Sequence, residues 1–214
     1  MIHDSCPICG NDESFAVLSR EDRRIMATRD QPFLCEATGQ RDLTTAHHEA
    51  GHVIAARAFA AGVHYVTICD HPHAAIDPTG QGTAYLSRLV ISAAGDVAAA
   101  VCAGEQFLPL WRDLRRCVAR ARESKPGSCD RCIEARVLVS AAPQLSDLEV
   151  VDAWYGILEV TTDLFETASW RGALEALAAE LNDKTLLEWE AIGQLLEPYD
   201  LAGAREEVLS NYKV

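Results

Sequence analysis

Residues 45–56 read Thr-Ala-His-His-Glu-Ala-Gly-His-Val-Ile-Ala-Ala, and the interpretation of the chain starts from this stretch. It belongs to a segment from Leu43 to Ala61 that is rich in Ala, Val and Ile and is followed by the helix-stopping Gly62. The segment predicts a helix. Because side chains four residues apart lie on one face of a helix, His48 and His52 are expected to stand one above the other.

Two imidazoles in this arrangement can bind one metal ion, and neutral imidazole nitrogen is a common zinc ligand. Glu49 follows His48 directly and lies at the edge of the same helix face. A carboxylate in that position can act as the general base for a zinc-activated water. The H-E-x-x-H pattern therefore predicts a zinc hydrolase with ligands His48 and His52 and base Glu49. The alternative interpretation is a helix with two histidines and no metal.

The composition fits one compact domain with a sizeable core. The chain has 214 residues, of which 49% are hydrophobic and 24% are charged. The net charge of −13 disfavours nucleic acid or an anionic membrane surface as a partner, since binding a polyanion requires a basic face. We find no secretory signal and expect no membrane-spanning helix. The expected location is the cytoplasm.

The order of the predicted elements indicates a mainly helical α+β fold with a small β-hairpin or sheet. Residues 1–42 form a polar amino-terminal arm, and 43–214 form the domain, with an insertion at about 105–145. Strands are predicted at Val63–Cys69 and Thr83–Leu86, separated by a turn-rich segment. Further helices are predicted at Leu89–Ala103, Trp111–Arg122, Ile133–Ala142, 146–165, Trp170–Leu181 and Leu186–Leu196, with a short segment at Ala204–Leu209.

Residues 45–56 resemble the active-site helix of the FtsH-type zinc metallopeptidase domain, whose signature is H-E-A-G-H. The segment His64-Tyr65-Val66-Thr67-Ile68 is similar to the strand that follows in that family. Residues 91–99 are similar to its next helix, although Asp96 and Ala99 stand where the family has Arg and Glu. The resemblance covers residues 43–100 well and 146–210 loosely. It does not include the AAA+ ATPase and membrane segments of full-length relatives.

The resemblance implies a third zinc ligand, which in the family is an aspartate on a later helix in an Asn-Asp-Leu context. Asp147, in Ser146-Asp147-Leu148, fits this context best and opens a long predicted helix. Asp113, in Arg112-Asp113-Leu114, is the alternative. Either aspartate could instead be a helix cap.

The cysteines suggest a second metal site. Cys6 and Cys9 form one C-x-x-C pair, and Cys129 and Cys132 form another. Four thiolates can close a structural tetrahedral zinc site, here one that ties the amino-terminal arm to the insertion. The alternatives are thiols without a metal or an unusual disulfide.

The expected function is that of an ATP-independent zinc metalloendopeptidase that cleaves peptides or unstructured protein segments. An extended polypeptide substrate could pair with a strand edge such as Val63–Cys69. A homo-oligomer and a separate ATPase or adaptor partner are both compatible with the sequence. The alternatives are a non-catalytic, zinc-stabilised adaptor derived from a peptidase fold and a hydrolase of non-peptide amides.

Overall fold

The computed structural model describes residues 43–69, 72–77, 85–125, 127 and 129–212. The predicted arm at 1–42, with Cys6 and Cys9, lies outside the described residues. The described part contains eight helices and a small three-stranded antiparallel sheet, which confirms the mainly helical α+β fold class.

The helices account for most of the chain. In chain order the elements are α1 (Leu43–Ala58), β1 (Gly62–Thr67), β2 (His73–Asp77), α2 (Tyr85–Cys102), α3 (Trp111–Arg122), α4 (Asp130–Ala141), α5 (Asp147–Glu166), α6 (Ala168–Lys184), β3 (Leu186–Glu188), α7 (Trp189–Leu196) and α8 (Leu201–Asn211).

The sheet has the strand order β2-β1-β3, so β1 lies in the middle of the described sheet. The expectation that β1 offers an edge for a substrate strand is therefore wrong. The predicted return strand Thr83–Leu86 is also wrong, because Tyr85 and Leu86 open α2 and the strand that returns is β2. A helix was predicted from Leu186, but Leu186–Glu188 form β3 and the helix begins at Trp189.

Helix α1 is the central element of the fold. Ten of its residues are buried, and it packs against α2 and α6. The helix stops at Ala58, earlier than predicted, because Ala60 adopts a left-handed conformation with φ 56°. The amide of Ala61 then donates to the Ala56 carbonyl at 2.8 Å, which closes the helix end before Gly62 starts β1.

Gly51 allows α1 and α2 to approach closely. A Cβ atom at this position would lie 2.4 Å from the Ala94 carbonyl oxygen and 2.6 Å from the Ala98 Cβ, both on α2. Backbone at that distance cannot move aside without shifting a helix. Gly51 is thus required by the packing of the two helices.

The predicted insertion at 105–145 packs as part of the same fold. It forms α3 and α4, and α4 packs against both α2 and α3. Glu134 of α4 is buried and accepts a hydrogen bond from the indole N–H of Trp154 on α5. Burial raises the pKa of this carboxyl to about 8, which favours its neutral form in the core.

Helix α2 is long and apolar enough, by length and composition, to span a membrane. Half of it is buried inside the fold, where it packs against α1, α4 and α5. This packing is typical of a core helix. The helix also carries Arg88 and Asp96.

We predict that Gly51→Ala lowers the free energy of unfolding by about 1–3 kcal/mol, because the added methyl group overpacks the α1–α2 contact. Gly156→Ala is the matched control, since a Cβ there meets no atom within 4 Å. Removing a helical glycine at an open position should leave stability unchanged or raise it by up to about 1 kcal/mol. Urea unfolding followed by circular dichroism measures both. A Gly51→Ala protein as stable as the control would contradict the contact.

Candidate metal centre

The α1 helix presents His48 and His52 on one face, as the spacing predicts. Their Nε2 atoms lie 3.1 Å apart, and the rings meet edge to face with centroids 4.8 Å apart. Two ring nitrogens therefore point at one common position.

A hydrogen bond from α1 to α2 fixes the orientation of the His52 ring. Its Nδ1 lies 2.7 Å from the carbonyl oxygen of Ile91. A carbonyl only accepts, so Nδ1 carries the proton and donates. In the neutral ring, this leaves the lone pair on Nε2 directed towards His48, which is the tautomer a metal ligand needs.

Asp130, the first residue of α4, completes the cluster. Its Oδ2 lies 3.3 Å from the His48 Nε2 and 3.5 Å from the His52 Nε2. One donor atom from each of the three residues falls within 4.8 Å of the others. Bonds of 2.0–2.1 Å to a tetrahedral zinc require ligand atoms about 3.3 Å apart, so the three observed separations fit such an ion.

The charges of the cluster depend on one another. Burial alone would lower the pKa of His52, but the neighbouring Asp130 carboxylate raises it to about 10. Burial alone would raise the pKa of Asp130, but His52 and His48 hold it well below its ordinary value. Without a metal, the carboxylate thus stabilises a protonated imidazole. Metal binding has to displace that proton, so the affinity for zinc should fall as the pH falls.

A second layer of charged groups surrounds His48. The Oδ1 of Asp96 on α2 lies 3.5 Å from the His48 Nδ1, on the side of the ring away from Asp130. Arg131 of α4 donates from Nε to the other Asp96 oxygen at 3.1 Å, and its guanidinium stacks over Phe107. Asp96 can therefore hold the His48 ring in the orientation that directs Nε2 to the cluster.

Gly95 leaves the space that the two imidazole rings fill. A Cβ at this position would lie 2.4 Å from the His52 Nε2 and 2.7 Å from the His48 Nε2. Any larger residue would have to displace the ligand atoms. This explains the small residue beside Asp96 on α2.

Glu49 faces the same site but does not join the cluster. Its side chain is only 5% exposed, and its carboxylate makes no hydrogen bond within the part of the chain that the structure describes. Burial raises the pKa of Glu49, while the two histidines oppose that effect. A buried carboxylate with no protein donor is uncommon and is available to water or a ligand.

The site opens into a cavity of about 480 Å³, a volume suited to a small-molecule or peptide segment. Its wall combines the site residues with side chains in and next to β2, with side chains of α2 that include Arg88, and with three residues of the α4 region. The lining residues are His48, Glu49, His52, Pro72, His73, Ala74, Ile76, Arg88, Ile91, Ser92, Cys129, Asp130 and Ile133.

Neither aspartate chosen from the sequence lies in this cluster. Asp147 opens α5 as predicted, but its carboxylate binds Arg122 at 2.7 Å. Asp113 lies on α3 beside Arg112 and Arg116. The structure brings Asp130 to the histidines instead, and our assignment of the third ligand moves to Asp130.

The sequence contained one signal that points towards Asp130. It lies inside Cys129-Asp130-Arg131-Cys132, the second C-x-x-C pair, but we expected the helix to begin only at Ile133. Cys129 is the residue before α4, and Cys132 is buried in its first turn. Since Cys6 and Cys9 lie outside the described residues, the four-cysteine zinc site stays a prediction.

His47 points away from the cluster. It lies half-buried on the other side of α1, where burial lowers its pKa and Glu175 of α6 opposes the effect. Neighbouring residues of a helix lie about 100° apart around its axis, which separates His47 from His48.

No known protein-family model matches the chain, and no curated protein matches it significantly. The resemblance to FtsH-type zinc metallopeptidases therefore depends on the sequence stretches quoted for it alone.

We predict that Asp130→Ala removes the metal that His48→Ala removes, because each change deletes one of three converging donors. Asp147→Ala and Asp113→Ala should retain it. Zinc content after dialysis, measured by mass spectrometry and normalised to folded protein, distinguishes these variants. Zinc lost from Asp147→Ala but kept in Asp130→Ala would contradict Asp130 and support Asp147 as the third ligand.

A further prediction concerns Asp96. Asp96→Asn should weaken zinc binding about 10–100-fold, since the amide keeps the shape but loses the charge that orients His48. Asp152→Asn, an exposed acid on α5, is the control for the change in net charge. Competition with a chromophoric chelator gives the dissociation constants. Equal constants for Asp96→Asn and the control would show that His48 needs no such partner.

Proposed function

We propose that this chain is a zinc-dependent peptidase that cleaves polypeptide segments lacking stable structure. The observation that carries the proposal is the pairing of a three-donor cluster with the unbonded, buried carboxylate of Glu49 on the same cavity. A purely structural zinc site is normally closed by four protein ligands, whereas three donors leave a position open.

Each residue has a role in the proposed reaction. His48, His52 and Asp130 hold the ion. Zinc, when bound, supplies a Lewis acid that polarises a carbonyl and makes a water more acidic. Glu49 accepts the proton of the attacking water and returns it to the leaving amine, a task for which its raised pKa is suitable.

The sheet offers a way to align a substrate. Within the described residues β2 pairs only with β1, so its other edge is a candidate for pairing with an extended peptide. His73, Ala74 and Ile76 of β2 line the same cavity as Glu49. A peptide added beside β2 would therefore pass the metal site with its backbone held by main-chain hydrogen bonds. The strand proposed to pair with the substrate is therefore β2 and not β1.

The proposed activity requires no ATP for substrates that are already unfolded. A separate ATPase or adaptor could extend it to folded proteins, and a homo-oligomer would be compatible with it. The cytoplasmic location and the absence of nucleic-acid and membrane partners stay predictions from the composition.

The central test is cleavage of casein by the zinc-loaded chain, with Glu49→Gln as the matched variant. The amide preserves the size of the side chain but cannot take up a proton, so we expect activity to fall at least about 100-fold while zinc stays bound. Activity should also disappear with a chelator and return with added zinc. Peptide release measures the activity, and the metal content of the protein measures the bound zinc.

Equal activity of the two proteins would contradict the peptidase proposal. Absence of activity in both, with zinc bound in both, would favour the zinc-stabilised adaptor. Cleavage of small amides but not of casein, with the same dependence on Glu49, would favour a hydrolase of non-peptide amides.

A further inference from the structure

Among the described residues that line the active-site cavity, one is an arginine, Arg88 of α2. The other charged side chains among its described lining residues are Glu49 and Asp130, apart from the histidines. Arg88 is exposed, so its guanidinium can meet a molecule that enters from solvent. None of the steps proposed above uses it.

The position of Arg88 is fixed relative to the metal site. Ile91 and Ser92, three and four residues further along α2, line the same cavity, so Arg88 lies one helical turn away on the same face. The Ile91 carbonyl is the group that binds His52. Gly95, whose Cβ position borders both imidazoles, is seven residues further along α2, so the base of the arginine side chain lies about 10 Å along the helix axis from the metal site.

The guanidinium of Arg88 makes no ion pair or hydrogen bond within the described residues. By contrast, Arg122 binds Asp147, Arg131 binds Asp96, and Arg205 donates to the carbonyl of Ala58. On α2 itself, the residues three and four positions from Arg88 are not acidic. Arg57 and Arg136 also make no ion pair or hydrogen bond within the described residues, so Arg88 is distinguished by its place in the cavity wall.

We propose that Arg88 binds a carboxylate of the substrate. The inference rests on the proposed peptidase function and gives it a substrate class, namely polypeptides with a carboxylate a few residues from the scissile bond. A guanidinium matches a carboxylate with two parallel hydrogen bonds, which adds orientation to attraction. The carboxylate could belong to an acidic side chain or to the carboxyl terminus of the peptide.

The net charge of −13 does not oppose this preference at short range. At physiological ionic strength charges are screened over about 8 Å, so the distant acidic surface contributes little at the cavity. The contact with Arg88 is local and acts within that distance. The preference for acidic peptides should therefore weaken at high salt.

The test measures binding rather than turnover. It uses the zinc-loaded Glu49→Gln protein, so that peptides are not consumed. Fluorescent peptides of one length carry Glu, Gln or Lys at a single central position, each with a free and with an amidated carboxyl terminus. The background protein is compared with its Arg88→Gln and Arg88→Glu derivatives. Arg136→Glu, an exposed arginine of α4 outside the cavity, is the matched control for net charge.

We expect the background protein to bind the Glu peptide about three- to tenfold more tightly than the Gln peptide, equivalent to about 0.7–1.4 kcal/mol. Arg88→Gln should abolish this ratio, and Arg88→Glu should invert it in favour of Lys. Arg136→Glu should preserve it. A Glu-over-Gln preference within the amidated peptides identifies the acidic side chain as the ligand, whereas tighter binding of the free than of the amidated form of every peptide, lost in Arg88→Gln, identifies the terminal carboxylate.

Equal affinity for all peptides in both series, no measurable binding, or an unchanged ratio in the Arg88 variants overturns the inference. The proposed function is tested separately by Glu49-dependent cleavage of the neutral, amidated peptide. Failure of that cleavage would remove the peptidase proposal, while the binding ratio would still decide the role of Arg88.

Discussion

The close approach of α1 and α2 is the constraint on which the rest of the structure depends. Gly51 allows the α1 backbone to lie against the Ala94 carbonyl, and Gly95 leaves room for the two imidazole rings. Only at this separation can the Ile91 carbonyl accept the Nδ1 proton of His52. The same contact therefore packs the core and selects the tautomer of a candidate metal ligand, so a change that separates the helices would affect both.

The third donor of the candidate metal centre comes from an element that is distant in sequence, and ion pairs connect it to the first two donors. Asp130 meets His48 directly, and its neighbour Arg131 binds Asp96, which lies against the other side of the same ring. Glu134, one turn further along α4, accepts from Trp154 and attaches the helix to α5. Together these contacts fix the position of α4 relative to α1. A carboxylate held in this way is positioned before any metal arrives, which reduces the entropy lost on binding.

Local patterns were enough to predict the fold class and the arrangement of His48 and His52. Helical spacing alone puts these residues on one face, and the start of α5 is also local, because Ser146 caps it through a capping box with Glu149. Asp130 could not be found in this way, because its approach to the histidines results from packing of α4 on α2. The local sequence around Asp147 fitted the expected ligand context better, but that sequence marks the start of helix α5. The strand Leu186–Glu188 was missed for a similar reason, since three residues become a strand only by pairing with β1.

Asp96 is one of two positions on α2, with Ala99, at which the chain departs from the FtsH-type pattern, and that pattern has arginine in place of Asp96. In this chain Asp96 contacts His48, and the positive charge near it comes from Arg131 of α4. An arginine at 96 would bring positive charge towards the Nδ1 of a metal-ligating imidazole, where an acceptor increases the electron density available to the metal. The aspartate supplies that acceptor, and Arg131 offsets the cost of placing a third carboxylate near Asp130 and Glu49. The departure from the family pattern is therefore chemically consistent with a metal-binding His48.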